Sequence, residues 1–277
     1  MEIKSKTINN IYLKIASELI EDGERVAGTH ELNNVKLELT DITNNIVSVR
    51  DISPAYLFGE LLWYLNGDNS LEFISKFSSF WNHLSDDGKT CNSAYGYLIQ
   101  KKHGFNQIDK VVELLKTDPE SRRAKININI PNEHVIETKD EPCTMSLHFM
   151  IRDGRLNCTA VMRSNDIWFG FPYDVAFFTE VQKMIAERLH VGWGTYTHFA
   201  VSLHVYDRDL DKLKKIIRTR SFGDDEPIRF NRGKFFDHSK EIFDIMASYT
   251  GDQPKEKLLQ ILDHYGIYRE NKTEERN

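Results

Sequence analysis

The sequence predicts an α+β fold, one large mixed sheet with helices packed against it. Three observations carry this expectation. Segments with apolar residues at helical spacing stand among segments that alternate apolar and polar residues. The strand-like runs are joined mostly by short turns, as in hairpins, and not by regular helical crossovers. No internal repeat, low-complexity tract or Gly/Ser-rich linker interrupts the 277 residues, so residues 1–277 read as a single domain.

Residues 7–22 place Ile8, Ile11, Tyr12, Ile15, Ala16, Leu19 and Ile20 on one helical face. A polar loop containing Arg25 follows, and residues 35–50 read as strands broken by the turn Thr43-Asn44-Asn45. Residues 54–66 open on Pro54 at a helix start and stop at Asn66-Gly67. Glu60 lies inside this apolar helix, where a carboxylate requires a partner or a raised pKa. Residues 70–80 and 105–117 read as helices, whereas 81–104 show weaker periodicity. Ala124–Ile130 alternates strictly, as a strand does. Residues 144–152 and 156–163 read as a hairpin turning on Asp153-Gly154. A long helix follows Pro172 to about Leu189, then a strand over 195–206 and a helix from Asp207 to Arg220. Residues 266–277 read as a charged, mobile tail.

Composition narrows the function. With 36 basic and 42 acidic residues the net charge is −6, which argues against nucleic acid as a partner. It leaves room for an anionic small ligand held by a few arginines. No apolar run spans a bilayer and the N-terminus lacks a signal-peptide core, so no membrane and a cytoplasmic location are expected. Cys91, Cys143 and Cys158 are odd in number and lack metal-type spacing, so neither a disulfide framework nor a metal is indicated.

The chemistry gathers between Glu141 and Asp174. Cys143 follows Pro142 and is either a nucleophile or a small core residue. If the two hairpin strands pair, Arg163 stands near that thiol. Cys158 lies among Leu156, Ala160 and Met162, a set that reads as core. Arg122-Arg123 precede a strand and form either a phosphate fork or a solvated loop. His204 and Tyr206 share one face of a strand and suit a sugar hydroxyl or a structural role. Asp174, two residues past Pro172, is either a ligand-facing acid or an acid favoured by a helix N-terminus.

The ordered set resembles the thymidylate synthase superfamily, including its phage-type deoxycytidylate hydroxymethylases. The residues that carry the resemblance are Glu60-Leu-Leu-Trp-Tyr-Leu, Asn92-Ser-Ala-Tyr-Gly96, Asp118-Pro-Glu-Ser-Arg-Arg123, Pro142-Cys143, Arg163-Ser-Asn-Asp166, Gly170-Phe-Pro-Tyr-Asp174 and Ser202-Leu-His-Val-Tyr206. They cover roughly residues 10–215. The resemblance implies an α+β homodimer formed across the sheet and 5,10-methylenetetrahydrofolate as co-substrate. Cys143 would add to C6 of a pyrimidine nucleotide, so that C5 takes the one-carbon unit. Arg25, Arg163, Ser164 and Asn165 would bind the nucleotide, with Arg122 and Arg123 reaching the partner subunit's phosphate site. His204 and Tyr206 would hold the 3′-hydroxyl. Glu60, with Tyr95, would organise proton transfer, and Asp166, Trp81 and Leu84 would face the folate.

Two departures from the synthases point to substrate and product. Thr144 and Asp174 stand where synthases acting on deoxyuridylate resemble histidine and asparagine. An ionised carboxylate only accepts, which suits the cytosine N4 amino group and a protonated N3. Leu84 stands where synthases resemble a shielding tryptophan, which leaves room for water. The expected reaction is hydroxymethylation of dCMP. The rivals are a thymidylate synthase or hydroxymethylase acting on dUMP, a CMP hydroxymethylase, and a catalytically silent nucleotide- or RNA-binding relative.

Overall fold

Each strand begins with a residue pattern that buries one face. The computed structural model describes residues 1–129, 137–221, 223 and 228–269. In its sheet, Val35, Leu37 and Leu39 alternate inward on β3 (Thr29–Leu39). Leu147 and Phe149 do so on β5 (Thr144–Arg152), and Leu156, Cys158, Ala160 and Met162 on β6 (Arg155–Asp166). Tyr196, His198 and Ala200 complete the layer on β7 (Gly192–Tyr206). Each large apolar side chain in it contributes about 1.5–3 kcal/mol.

The order across the sheet is β1-β3-β7-β6-β5-β4, with β1 (Glu2–Ser5) and β4 (Lys125–Asn127) at the ends and β2 (Glu24–Val26) paired to β3. β6 and β7 run parallel, as do β1 and β3; the other pairs are antiparallel. Asp153 and Gly154 turn the β5–β6 hairpin with φ of 50° and 69°, the backbone a two-residue turn requires.

The chain divides into two compact units, Met1–Asp51 with Ile99–Ile136 and Glu141–Pro227, and Ile52–Leu98 with Glu137–Asp140 and Ile228–Asn277. No linker marks this division in the sequence, because each unit is assembled from distant segments. The first holds the sheet, with α1 (Ile8–Glu21), α7 (Phe171–Leu189) and α8 (Asp207–Thr219) on its buried face and α6 (Gln107–Thr117) against α7. The second holds α2 (Pro54–Leu65), α3 (Leu71–Ser75), α4 (Trp81–Leu84), α9 (Arg232–Ser248) and α10 (Pro254–His264). The short α5 (Tyr95–Gln100) crosses the boundary in sequence. No helix among the described residues is long and apolar enough to cross a membrane.

Four local expectations are corrected. Residues 40–50 form no strand beyond β3, although Ile42, Ile46, Val47 and Val49 are buried. The Asn9 side chain accepts from the backbone N–H of Ser48 (2.8 Å) and Val49 (3.3 Å), replacing a strand neighbour. The strand expected over 124–130 is only Lys125–Asn127, and Ile130 lies outside the described residues. Gln107 brackets Asn127, donating to its carbonyl and accepting from its N–H at 2.9 Å each, and so closes the sheet edge. The helix expected over 70–80 stops at Ser75, where Phe77 and Ser78 both turn back to the Ile74 carbonyl. Of the expected tail, Ile267 is buried and bonded to Leu262, and Tyr268 lies 5.2 Å from Phe58; residues 270–277 lie outside the described residues.

Gly96 makes a close approach that no side chain permits. A Cβ there would stand 1.9 Å from the Tyr64 carbonyl oxygen. Gly96→Ala is expected to lower stability by about 3 kcal/mol. Gly233→Ala, whose Cβ would meet only Asn231 at 3.6 Å, should leave the denaturant midpoint nearly unchanged.

Candidate active site

Strand direction decides which residues meet. Because β6 and β7 are parallel, their C-terminal ends coincide, and Ser164 stands opposite Ser202 and Asp166 opposite His204. β5 runs the other way, so its start, just after Cys143, lies at that same end. β3 also begins there, with Thr29 opposite Tyr206, and carries the β2 hairpin with Arg25. One end of the sheet therefore gathers Arg25, Cys143, Arg163, Ser164, Asn165, Asp166, His204 and Tyr206. Asp174, in the first turn of α7, joins them through Asn165.

Cys143 is half-buried and stands beside a bulge between Thr144 and Ser146, a device that re-aims a strand end. The expected hairpin pairing brings Arg163 next to it: the Arg163 N–H donates to the Cys143 carbonyl at 2.9 Å. The guanidinium donates to the carbonyls of Pro142 (3.2 Å) and Glu141 (2.9 Å), so it props the backbone that carries the thiol. Cys91 and Cys158 are buried; burial pushes the Cys91 thiol up to about 12 and raises that of Cys158 further. Neither suits nucleophilic chemistry.

Around Cys143 lie polar tips of differing exposure. Tyr206 feels burial first, then the charge of Asp166, which raise its pKa, while Arg208 opposes them and Cys143 adds a smaller rise. His204 stacks edge-on against Tyr206 at 5.2 Å and stands 3.5 Å from the Ser164 hydroxyl. Burial lowers the His204 pKa, and Glu31 partly counters this. Arg25 is exposed and donates to Asp207 at 2.8 Å. Arg122 and Arg123 are not brought to this cluster. They precede β4, whose register with β5 sets them toward the opposite end of the sheet, exposed, with Arg123 3.6 Å from Asp118.

The two acids of the cluster are held unusually. Burial pushes the Asp166 carboxyl up to about 6, although the N–H groups of Trp168 and Phe169 pull it down. Asp174 is only 9% exposed, and burial pushes its carboxyl up to about 7 against a lowering bond from Asn165. Helix-start placement alone would lower an acid's pKa, so desolvation dominates here. Asn165 donates through Nδ2 to Asp174 Oδ2 at 2.7 Å and accepts through Oδ1 from His198 at 3.0 Å.

Glu60, Trp81, Leu84 and Tyr95 belong to the second unit. Glu60 is buried and has the partner its setting requires: Tyr56, one helical turn earlier, donates to Oε1 at 2.6 Å. Trp81 donates to the same Tyr56 hydroxyl at 3.1 Å. Tyr95 stacks on Tyr64 at 5.5 Å, and Leu84, half-buried, ends α4.

Sequence reasoning missed Arg50, His198 and Tyr196. Arg50 is buried, with its guanidinium 4.7 Å over Trp168 and 5.9 Å from the Phe169 ring. Its Nε and Nη1 have no hydrogen-bond partner among the described residues, an arrangement suited to an anion. Arg50-Asp51 looks in the sequence like an ordinary charged loop, so no signal marked it. His198 and Tyr196 sit in an alternating strand pattern as core positions. Among the described residues no group of three or more His, Cys, Asp or Glu is gathered as a metal site.

The raised carboxyl of Asp174 makes a pH prediction. The folded state binds this proton more tightly than the unfolded chain, so the contribution to stability is full below the ordinary 3.8 and is lost as pH rises through about 7. Asp174→Asn removes that titration. Relative to wild type, the variant should gain about 3 kcal/mol between about pH 4 and pH 7, measured by denaturant unfolding at each pH.

A family model described as thymidylate synthase matches residues 10–257. The chain is similar to a putative thymidylate synthase of Methanocaldococcus jannaschii, 31% identical over 223 residues, 77% of this chain and 94% of that protein. It is similar to the deoxyuridylate hydroxymethyltransferase of Pseudomonas phage M6, 30% identical over 167 residues, 59% of this chain and 48% of that protein. It is also similar to the deoxyuridylate hydroxymethyltransferase of Bacillus phage SP01, 28% identical over 242 residues, 79% of this chain and 63% of that protein. The chain thus spans about half to two thirds of the length of the two phage proteins and nearly all of the archaeal one. The match of a single family model across both structural units, together with the cluster at the sheet end, places this chain in the thymidylate synthase family.

Proposed function

We propose that the chain transfers a one-carbon unit from 5,10-methylenetetrahydrofolate to C5 of dCMP, giving 5-hydroxymethyl-dCMP. The observation that carries the choice of base is Asp174, a buried carboxyl with its titration near neutrality and one oxygen occupied by Asn165. As the Cys143 sulfur bonds to C6, the C5–C6 π bond opens and its electrons spread over C5, C4 and N3. A protonated Asp174 can give its proton to N3 and then accept from the N4 amino group, neutralising the charge as it forms. The adduct makes C5 nucleophilic. When bound, the folate supplies the one-carbon unit as an electrophile. The C5 proton then leaves through the Glu60 network, in which Tyr56 holds the carboxylate. Loss of folate leaves an exocyclic methylene; water adds to it, the Cys143–C6 bond breaks as the C5–C6 double bond re-forms, and the N3 proton returns to Asp174 as the product leaves. In this reading Leu84, in place of an indole, leaves room for that water.

The remaining residues fit supporting parts. Arg25, Arg163 and Ser164 suit the 5′-phosphate, and His204 with Tyr206 suits the sugar 3′-hydroxyl. A flat anionic co-substrate is matched by Arg50, whose guanidinium lies over Trp168 and near Phe169 and whose Nε and Nη1 have no hydrogen-bond partner among the described residues. A homodimer is supported by the sheet face that faces away from α7. Ser146, Val161, Phe199 and Lys36 form one cross-strand row there, and Met150 and Val201 are exposed. A second copy on that face would cover it, and the outlying Arg122 and Arg123 would then serve the partner's phosphate.

A second reading acts on dUMP. A protonated carboxyl can also donate to O4 while accepting from N3–H of uracil, and the two phage relatives carry a deoxyuridylate name. Incubation with methylenetetrahydrofolate and dCMP, dUMP or CMP, with products identified by mass, separates the readings. Hydroxymethyl-dCMP is expected; conversion of dUMP alone would overturn the cytosine reading. Cys143→Ala should lose at least about a thousandfold in kcat while still binding nucleotide. Unchanged turnover in that variant would rule out the covalent route.

A further inference from the structure

Asp174 ends a line of four buried groups whose hydrogen bonds all point the same way. Tyr196 is 1% exposed, His198 1% and Asn165 2%. The Tyr196 hydroxyl stands 2.9 Å from His198 Nδ1, His198 Nε2 stands 3.0 Å from Asn165 Oδ1, and Asn165 Nδ2 stands 2.7 Å from Asp174 Oδ2. The orientation of the Asn165 amide sets the direction. An amide oxygen only accepts, so His198 must carry its proton on Nε2. Burial holds the imidazole neutral, with its pKa pushed down to about 3, so Nδ1 is an acceptor and Tyr196 donates to it. With Asn165 Nδ2 toward Asp174 the line runs from Tyr196 to Asp174; a flipped amide would reverse every bond in it and set the Asp174 proton on Oδ2, so amide orientation and proton position are one linked choice.

We propose that Tyr196, His198 and Asn165 are positioning residues that determine base specificity by fixing which oxygen of Asp174 can carry a proton. This rests on the reading of Asp174 as the group that meets the base, and deepens it. Oδ2 already accepts from Asn165, so the proton of the neutral acid sits on Oδ1. The carboxyl then presents one fixed donor and one fixed acceptor. Cytosine offers an acceptor at N3 and a donor at N4; uracil offers the reverse pattern, a donor at N3 and an acceptor at O4. A carboxyl free to exchange its proton between oxygens matches either base, whereas one of fixed polarity matches a single base. The site thereby discriminates between two bases of nearly equal shape without a steric element.

Gly170 supports the same arrangement independently. A Cβ on it would stand 3.0 Å from Asn165 Nδ2 and 3.3 Å from Asp174 Oδ2. Its backbone φ of −78° and ψ of −59° suits any residue, so a side chain there would act by crowding the Asn165–Asp174 bond, which would have to give by a few tenths of an ångström.

The test compares Tyr196→Phe, Asn165→Leu, Asp174→Asn and the Asn165→Leu/Asp174→Asn pair with wild type. Thermal melting verifies folding, and Tyr196→Phe, which removes one oxygen and keeps the ring, guards against a collapsed core. Binding of dCMP and of dUMP is measured by calorimetry. The wild-type preference between them, whichever base it favours, should fall about tenfold in Asn165→Leu and about threefold in Tyr196→Phe. Once Asp174 is Asn, adding Asn165→Leu should change the ratio less than about twofold. Carboxyl-carbon NMR without nucleotide should show the Asp174 titration moving up by about one pH unit in Asn165→Leu; Asp166, His198 and Tyr196 are the titratable neighbours to be followed alongside. Equal weakening of both nucleotides, or an unmoved Asp174 titration in Asn165→Leu, would overturn the proposal and leave the line a packing feature. A wild type that favours dUMP would overturn the cytosine reading alone, because the loss of discrimination and the titration still decide the line of residues. If neither nucleotide binds, the functional reading fails and the NMR titration decides.

Discussion

The parallel pairing of β6 with β7 is the constraint on which the site depends. Parallel strands bring their C-terminal ends together, so the Arg163–Asp166 segment and the His204–Tyr206 segment arrive at one place. The antiparallel partners on either side then deliver the beginnings of β5 and β3, and with them Cys143 and Arg25. A one-residue slip of β6 against β7 would reverse the faces of every pair and separate Asp166 from His204. The pairing is pinned from the core side by Gln182 on α7. Its Nε2 donates to the carbonyls of Leu156 (2.8 Å), Gly194 (3.2 Å) and Thr195 (3.2 Å), where the register shifts near Asn157. The strand register is thus tied to the helix that carries Asp174.

Desolvation sets the chemistry at that place. The two acids of this cluster both titrate well above the ordinary carboxylate range, because the strand ends and the first turn of α7 exclude water. A carboxyl poised near neutrality can give a proton and take it back, as acid–base work requires. The neighbouring histidines are shifted by the same cause in the opposite sense, so His198 and His204 stay neutral. Glu60 is handled differently. It lies in an apolar helix, and a tyrosine at helical spacing bonds its carboxylate directly.

Much of this was legible in the sequence, for identifiable reasons. The amphipathic stretch at 8–21, the long helix that follows Pro172 and the Asp153-Gly154 hairpin declare themselves through periodicity and turn chemistry. The ordered motifs pointed to the family, and Cys143, Arg163, Asp166, Asp174, His204 and Tyr206 lie near element ends as their patterns implied. Residues 40–50 misled because buried β-branched side chains look the same whether their backbone meets a strand or the amide of Asn9. Asn165 was read as a substrate contact from its place beside Arg163 and Ser164. In the folded chain its amide bonds to Asp174 and His198.

Local patterns in the chain specify the residue types, their order and the elements they form: a thiol after proline, an arginine near a strand end, an acid at a helix start. These follow from short-range rules of spacing and turn geometry. Tertiary structure alone decided which of them meet and in what state. His198 reads as a core residue, until the strand register sets it 33 positions away against Asn165. Asp174 reads as an acid that a helix start would keep ionised, until packing removes its water. Both outcomes arise from long-range burial, which no local pattern encodes, and it is burial that turns a generic acid into a proton-bearing group of defined direction.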